Sequence, residues 1–289
     1  MMIRCWGSRG SIPVSGPEYL KYGGDTTCLE VRTSDDAIII VDAGSGIRRL
    51  GNRLLAEERF EYSMIFTHSH WDHILGFPFF KPLYHEKTSL HLYGCPFNRE
   101  SVKEMVAKVM TSPNFPMDLN NVQARISYQE SCQDSLRIQS MTVTPIKTSH
   151  PDSGIGYKFS EDGKTFVFLT DNELKHKHPG GLDYGDYVRF AAGADLLLHD
   201  SEFTDEEYRI KKTWGHSTYR DALQLALEAR VKKFGLFHHN QERTDAAIDE
   251  IVGKCQQIIA AQNSSLECFA VPEGMEIRLG SIRPKASEG

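Results

Sequence analysis

The run THSHWDH at 67–73 puts three imidazoles and a carboxylate into six positions, directly after the apolar segment SMIF at 63–66. A lone histidine packs into a core readily. This many polar groups at the end of a buried strand cost several kcal/mol unless strong partners meet them. A divalent cation is the natural partner, since neutral imidazole and carboxylate suit zinc, and also manganese or iron. One turn cannot complete a metal's shell, so other strand ends must supply ligands. Three apolar runs end in candidates: IKTSHPD offers His150, VFLTDNE offers Asp171, and FGLFHHN offers His238 and His239. Together with the turn they make seven ligands, the number for two metals sharing one carboxylate. Two such ions about 3.5–4 Å apart can hold a bridging hydroxide and stabilise both attacking and leaving oxygens.

The rest of the chain reads as alternating strands and helices. Strand-like runs lie at 28–32, 37–44, 63–67, 89–94, 141–148, 154–160, 165–171, 194–200 and 233–239. Many are apolar throughout, which predicts burial on both faces. Amphipathic segments lie at 47–58, 99–110, 218–231 and 244–259. Thr218 is a helix cap with Asp221 three residues on. The last helix should bury Ile248, Ile251, Val252, Cys255, Ile258 and Ile259. Such alternation predicts a layered α/β protein, with 1–280 as one domain and the polar end 281–289 as a frayed tail. The stretch 113–125 is patternless and too long for a simple turn, as functional loops often are.

Composition narrows the partners. Thirty-three Lys and Arg against 39 Asp and Glu give a net charge of −6. That argues against indiscriminate binding to a nucleic acid backbone, but not against a small phosphate ester. The start lacks a basic region followed by a long apolar run, and the densest apolar stretches are strand-sized, so no membrane segment is expected. Six scattered cysteines without a C-x-x-C pair read as free thiols of a cytoplasmic protein.

THSHWDH resembles the H-x-H-x-D-H motif of the metallo-β-lactamase superfamily, and the further ligands occur in that family's order. The resemblance implies an α/β fold, a four-layer αββα sandwich with metals at one edge of its paired sheets. It implies that His68, His70 and His150 hold one metal, that Asp72, His73 and His238 hold the other, and that Asp171 bridges. His238 is preferred to His239 because it directly follows the strand. Asp42, in VDAGSG, would lie beneath the metals. His70, where a redox branch of the family has Glu, favours hydrolysis. The expected cofactors are two divalent ions, zinc first and manganese as the alternative.

LLLHDSEFTDEEY followed by WGHSTYRDAL is similar to the phosphodiesterase branch that includes ribonuclease Z. By that resemblance His216 protonates the leaving oxygen, and Asp72 orients a metal. The opening GSRGSIPV with HWDHILGFPFF looks like the small bacterial and phage phosphodiesterases of the anti-Pycsar type. The implied function is hydrolysis of a small phosphodiester, best a 3′,5′-cyclic nucleotide, by hydroxide held between the metals. A transfer RNA 3′-processing endoribonuclease is the first alternative, and a non-catalytic metal-binding protein the second. No Gly/Pro-rich arm for gripping transfer RNA stands out, which argues with the charge against a large nucleic acid. The resemblance also implies a homodimer, with 113–125 reaching a partner's pocket. The segment 7–13 could wrap beside the pocket. His85, His91, His176 and His178 read as residues of solvated loops. Phe77, Phe79, Phe80 and Phe115 are candidates for stacking on a base.

Overall fold

The computed structural model describes residues 1–94, 101–130 and 135–280. Its strands are β1 (Met2–Gly7), β2 (Cys28–Arg32), β3 (Ile38–Val41), β4 (Glu61–Ile65), β5 (Ser89–Gly94), β6 (Arg125–Glu130), β7 (Leu136–Ile138), β8 (Met141–Thr148), β9 (Gly154–Glu161), β10 (Lys164–Leu169), β11 (Leu196–Asp200), β12 (Lys233–Phe237), β13 (Glu267–Ala270) and β14 (Glu276–Arg278). Its α-helices are α1 (Ile47–Ala56), α2 (Trp71–Ile74), α3 (Val102–Val109), α4 (Tyr184–Ala191), α5 (Asp205–Lys211), α6 (Tyr219–Glu228) and α7 (Asp245–Ala261). The strands form two seven-stranded sheets, ordered β14-β1-β2-β3-β4-β5-β6 and β13-β12-β11-β10-β9-β8-β7.

Alternation along β10 shows how the layers arise. Phe166 and Phe168 face the first sheet and join Phe159, Leu196, Leu198 and Phe237 in the core between the sheets. Val167 and Leu169 face the other way and join Leu197, Phe234 and Leu236 beneath α4, α6 and α7. A strand covered on both faces needs an apolar residue at every position, so these runs are continuous rather than alternating. On the other side, α1 buries Ile47, Leu50 and Leu54, and α3 buries Val102, Met105 and Val106. The result is the expected αββα order of layers.

The pairs β3–β4, β4–β5 and β5–β6 are parallel, as are β10–β11, β11–β12 and β12–β13. Two successive antiparallel pairings make β8 run with β10. The residues after β3, β4, β8, β10, β11 and β12 therefore converge at the carboxyl ends of their strands, where α/β sheets place ligands.

Several elements differ from expectation. β1, β6, β7, β13 and β14 are strands outside the expected runs: β7, β13 and β14 have three or four residues, β6 is polar, and β1 is buried apart from Arg4. β4 ends at Ile65, two residues before the expected end, because Thr67 turns its polar groups to Asp42. In α7, Val252 and Ile258 are only half-buried. Within 113–125 a single 3₁₀ turn, Leu119–Asn121, precedes β6. Phe77 and Phe80 are fully buried core residues, whereas Phe79 is exposed and packs edge-on against Phe115. Cys5, Cys28, Cys255 and Cys268 are buried free thiols. Cys95, Cys132, the tail 281–289 and the first residues of the expected helix 99–110 lie outside the described residues. Among the described residues no helix is long and apolar enough to cross a membrane.

The two sheets are stitched together where β4 ends. Ile155 N–H donates to the Thr67 carbonyl at 2.8 Å, and the Tyr157 hydroxyl donates to the Phe66 carbonyl at 2.6 Å. Tyr157→Phe removes that hydroxyl and should destabilise the fold by about 1–3 kcal/mol, the cost of a buried acceptor losing its donor. Urea denaturation should show a lower midpoint at unchanged slope. An unchanged midpoint would mean that this bond contributes nothing to stability.

Candidate metal centre

The histidine turn is built on Asp42. Thr67 donates its N–H to Asp42 Oδ1 and its hydroxyl to Oδ2, each at 2.7 Å. His70 stays extended and ends the turn, and α2 begins at Trp71. Asp42, Asp171 and His238 have φ of 62°, 51° and 58°. Non-glycine residues adopt this left-handed region uncommonly; here it occurs just after β3, β10 and β12, where the side chains meet at the common edge.

The ligand-capable atoms of His68, His70, His150 and Asp171 lie within 4.8 Å of one another, and so do those of Asp72, His73 and His238. Asp171 joins the two groups. Its Oδ2 is 3.6 Å from His68 Nε2 and 3.4 Å from His238 Nε2, while its Oδ1 is 3.3 Å from His73 Nε2. His150 Nε2 and His70 Nδ1 face each other at 3.0 Å. Asp72 Oδ2 lies 3.2 Å from His238 Nε2 and 3.4 Å from His73 Nε2. His68 Nε2 and His73 Nε2 are buried without a hydrogen-bond partner. Buried imidazole nitrogens with no partner, aimed at a carboxylate, are what a cation would satisfy, so the residues present fit a pair of divalent ions.

A second ring holds the opposite nitrogen of these histidines. His73 Nδ1 meets Asp42 Oδ2 at 2.8 Å, and His68 Nδ1 meets the Thr67 hydroxyl at 3.1 Å. His150 Nδ1 donates to the Gly215 carbonyl at 3.0 Å, and His238 Nδ1 meets Glu202 Oε2 at 3.0 Å. Such bonds fix the tautomer that leaves Nε2 as the inward donor. Burial pushes His68 well below the usual histidine range and His150 down to about 3, so both are neutral, as ligands must be. Burial acts the same way on His73 and His238, but Asp72 and Asp171 respectively lead the carboxylates that outweigh it.

His216 stands beside this cluster. Its Nδ1 lies 2.8 Å from Asp200 Oδ2 and 3.4 Å from Glu202 Oε2, and its ring stacks on His238 at 4.8 Å. Burial opposes its protonation, but Glu202 and then Asp200 overcome this and push it up to about 9. Asp200, Glu202 and the Gly215 carbonyl received no role from sequence reasoning. The acidic residues of HDSE at a strand end were the available signal. The segment 7–13 does wrap beside the cluster. Ser11 N–H donates to Asp72 Oδ2 at 2.9 Å, and a side chain at Gly10 would meet His238 Nδ1 at 2.2 Å. Only glycine fits there.

The remaining histidines lie outside the cluster. His239 bonds the Val271 carbonyl at 3.1 Å and packs edge-on against Tyr22. His178, expected on a solvated loop, is instead buried, with Nε2 2.7 Å from Glu173 Oε2. Its neighbour His176 is half-buried. His85 stacks on Phe60, and His91 meets the Ser127 hydroxyl at 2.7 Å.

Residues 38–239 match the model of the Beta-lactamase superfamily domain. A ribonuclease Z of Haloferax volcanii is 26% identical over 250 residues, covering 71% of this chain and 76% of that protein. Among solved structures, the metallo-beta-lactamase fold protein YhfI from Bacillus subtilis aligns at a TM-score of 0.67 and 18% identity, covering 96% of this chain and 98% of that one. A diphosphatase of the PhnP family aligns at 0.67 and 17%, with the same coverage. The matched segment holds the turn, both ligand groups and His216, and the chain belongs to the beta-lactamase superfamily as a metal-dependent hydrolase of the ribonuclease Z-like type.

Proposed function

We propose that the protein hydrolyses a small phosphodiester, with a 3′,5′-cyclic nucleotide as the favoured substrate, at a centre for two divalent ions. The observation that carries this reading is the meeting of two ligand groups at Asp171 with His216 alongside. His68, His70 and His150 would hold one ion, Asp72, His73 and His238 the other, and Asp171 would be shared. The imidazole-rich donor set favours zinc, with manganese as the alternative. When bound, such ions supply Lewis acidity to phosphoryl oxygens and make water a nucleophile near neutral pH.

The chain's own residues orient the reaction and move the proton. Asp200 accepts the Nδ1–H of His216 and fixes the ring, which leaves Nε2–H to protonate the departing oxygen. Glu202 lies against both His216 and His238, so one carboxylate sets the position of the acid relative to the ligands. Asp72, held by the Ser11 N–H, keeps its Oδ2 between His73 and His238.

Relatives named ribonuclease Z support a phosphodiester and favour the alternative, a transfer RNA precursor. The net charge of −6 supports the smaller substrate. Metal-loaded protein given a panel of cyclic nucleotides and a transfer RNA precursor decides between them. Cyclic nucleotide opening to a nucleoside monophosphate is expected. Cleavage of the precursor alone would overturn the substrate, and inertness toward both would overturn the reading.

Elemental analysis after saturation should find two divalent ions per chain, and fewer would refute the paired centre. Asp171→Ala should lose metal and all activity. Asp42→Ala should weaken metal binding about 10–100-fold, as loss of a ligand-orienting partner does, with circular dichroism unchanged.

His216→Ala should retain both ions and lower turnover about 10²–10⁴-fold on a substrate with a poor leaving group. The loss should shrink on bis(p-nitrophenyl) phosphate, whose nitrophenolate departs without a proton. Equal losses on both would make His216 a phosphate-binding or structural residue instead.

A further inference from the structure

Trp214 is 61% exposed, one residue before Gly215 and two before His216. Exposed indoles on loops usually move, yet the backbone under this one is fixed at three consecutive positions. Thr213 N–H donates to Glu173 Oε1 at 2.8 Å, and Gly215 N–H donates to Glu173 Oε2 at 2.9 Å. Trp214 N–H donates to the Lys211 carbonyl at 3.2 Å. Glu173 is buried and is itself held by the Tyr208 hydroxyl and by His178 Nε2, each at 2.7 Å. A single buried carboxylate thus grips the chain on both sides of an exposed aromatic.

The geometry has a local cost. Thr213 and Gly215 have φ of 76° and 93°, and a β-branched residue in the left-handed region is an outlier that the surroundings must enforce. The clamp also sets the site. The Gly215 carbonyl accepts from His150 Nδ1, and a side chain at Gly215 would run into the His150 ring. The arrangement that seats His150 and delivers His216 therefore presents Trp214 to solvent at the edge of the cluster. The Lys211 ammonium lies 5.8 Å from the indole centre and 4.9 Å from Phe203, whose ring packs edge-on against His216. A flat apolar face, a cation and the proton donor stand together on one short segment.

We propose that Trp214 is a substrate-binding residue that stacks on a planar aromatic ring carried by the phosphodiester. On the reading above, on which this proposal rests, that ring is the nucleobase. Stacking on an aromatic side chain tolerates any base, because every base has a π-face. Trp214 then contributes to affinity, while the ligand groups and His216 act on the phosphate.

The test compares wild type, Trp214→Phe and Trp214→Ala on a 3′,5′-cyclic nucleotide and on a base-free 3′,5′-cyclic phosphate of 1-O-methylribose. Trp214→Ala should raise KM for the nucleotide roughly 5–150-fold, the range for one lost stack, with kcat and the base-free substrate little changed. Trp214→Phe should restore most of the affinity. In parallel, a nucleoside monophosphate should quench tryptophan fluorescence of the wild type, and this quench should be lost in Trp214→Phe; ribose 5-phosphate should quench neither. Equal effects on both substrates, a change in kcat alone, or a change of oligomeric state by light scattering in place of the KM effect would overturn the proposal. If the wild type hydrolyses no phosphodiester, the proposed reaction fails separately. The fluorescence arm then decides alone, and equal quenching of wild type and Trp214→Phe sinks the stacking role.

Discussion

The Asp171 carboxylate has imidazole nitrogens of His68, His73 and His238 within 3.6 Å, with His150 at 4.0 Å and His216 at 3.8 Å. Burial alone would raise its pKa, yet His238 first and then His73 keep it well below the usual carboxylate range. A buried anion needs matched positive charge close by. That need is met at this edge, where six strand ends converge and imidazoles surround the carboxylate. Cations held by the two groups would take as donors the nitrogens that now crowd one another.

The outer ring carries as much of the design as the inner one. Asp42, Thr67, Glu202 and the Gly215 carbonyl each bond the far nitrogen of a ligand-capable histidine. Glu202 is further held by Asn240 Nδ2 at 2.8 Å. Arg9, fully buried, reaches the carbonyls of Gly23, Asn240 and Arg243 and so fastens the first loop to the loop after His238. Its guanidinium bonds these backbone oxygens and lies 5.1 Å over the Tyr19 ring, so it acts as a strut between loops. The position of the Ser11 N–H on Asp72, and of Gly10 against His238, depends on that strut.

The sequence was most readable where a side chain's chemistry and the period of the chain agreed. THSHWDH, Asp171 and His238 each follow an apolar run buried on both faces, which can be recognised without partners, whereas the strand before His150 mixes buried and half-buried residues. β13 and β14, of four and three residues, have no period to detect, and their pairing exists only because β12 and β1 supply an edge. Asp200 and Glu202 are plain in the sequence, but only the fold shows that the carboxyl end of β11 lies under His216. The same holds for His178: a loop rich in Lys, Pro and Gly reads as solvated, and the contact with Glu173 that accompanies its burial is one that sequence does not show.

The residues of the candidate centre come from both sheets, and 166 residues separate Asp72 from His238. The turn that carries His68, His70, Asp72 and His73 is complete long before β8, β10 and β12 have been synthesised. A nascent chain thus carries the histidine turn before its partners on the later strands exist. Sheet docking, through Ile155 and Tyr157, must precede any closed centre, because it brings His150 and Asp171 to that turn. This edge is therefore assembled in time, the turn first and the residues that enclose it last, after the C-terminal strands have arrived. Cells that express the two halves as separate chains would have to reproduce that order by association.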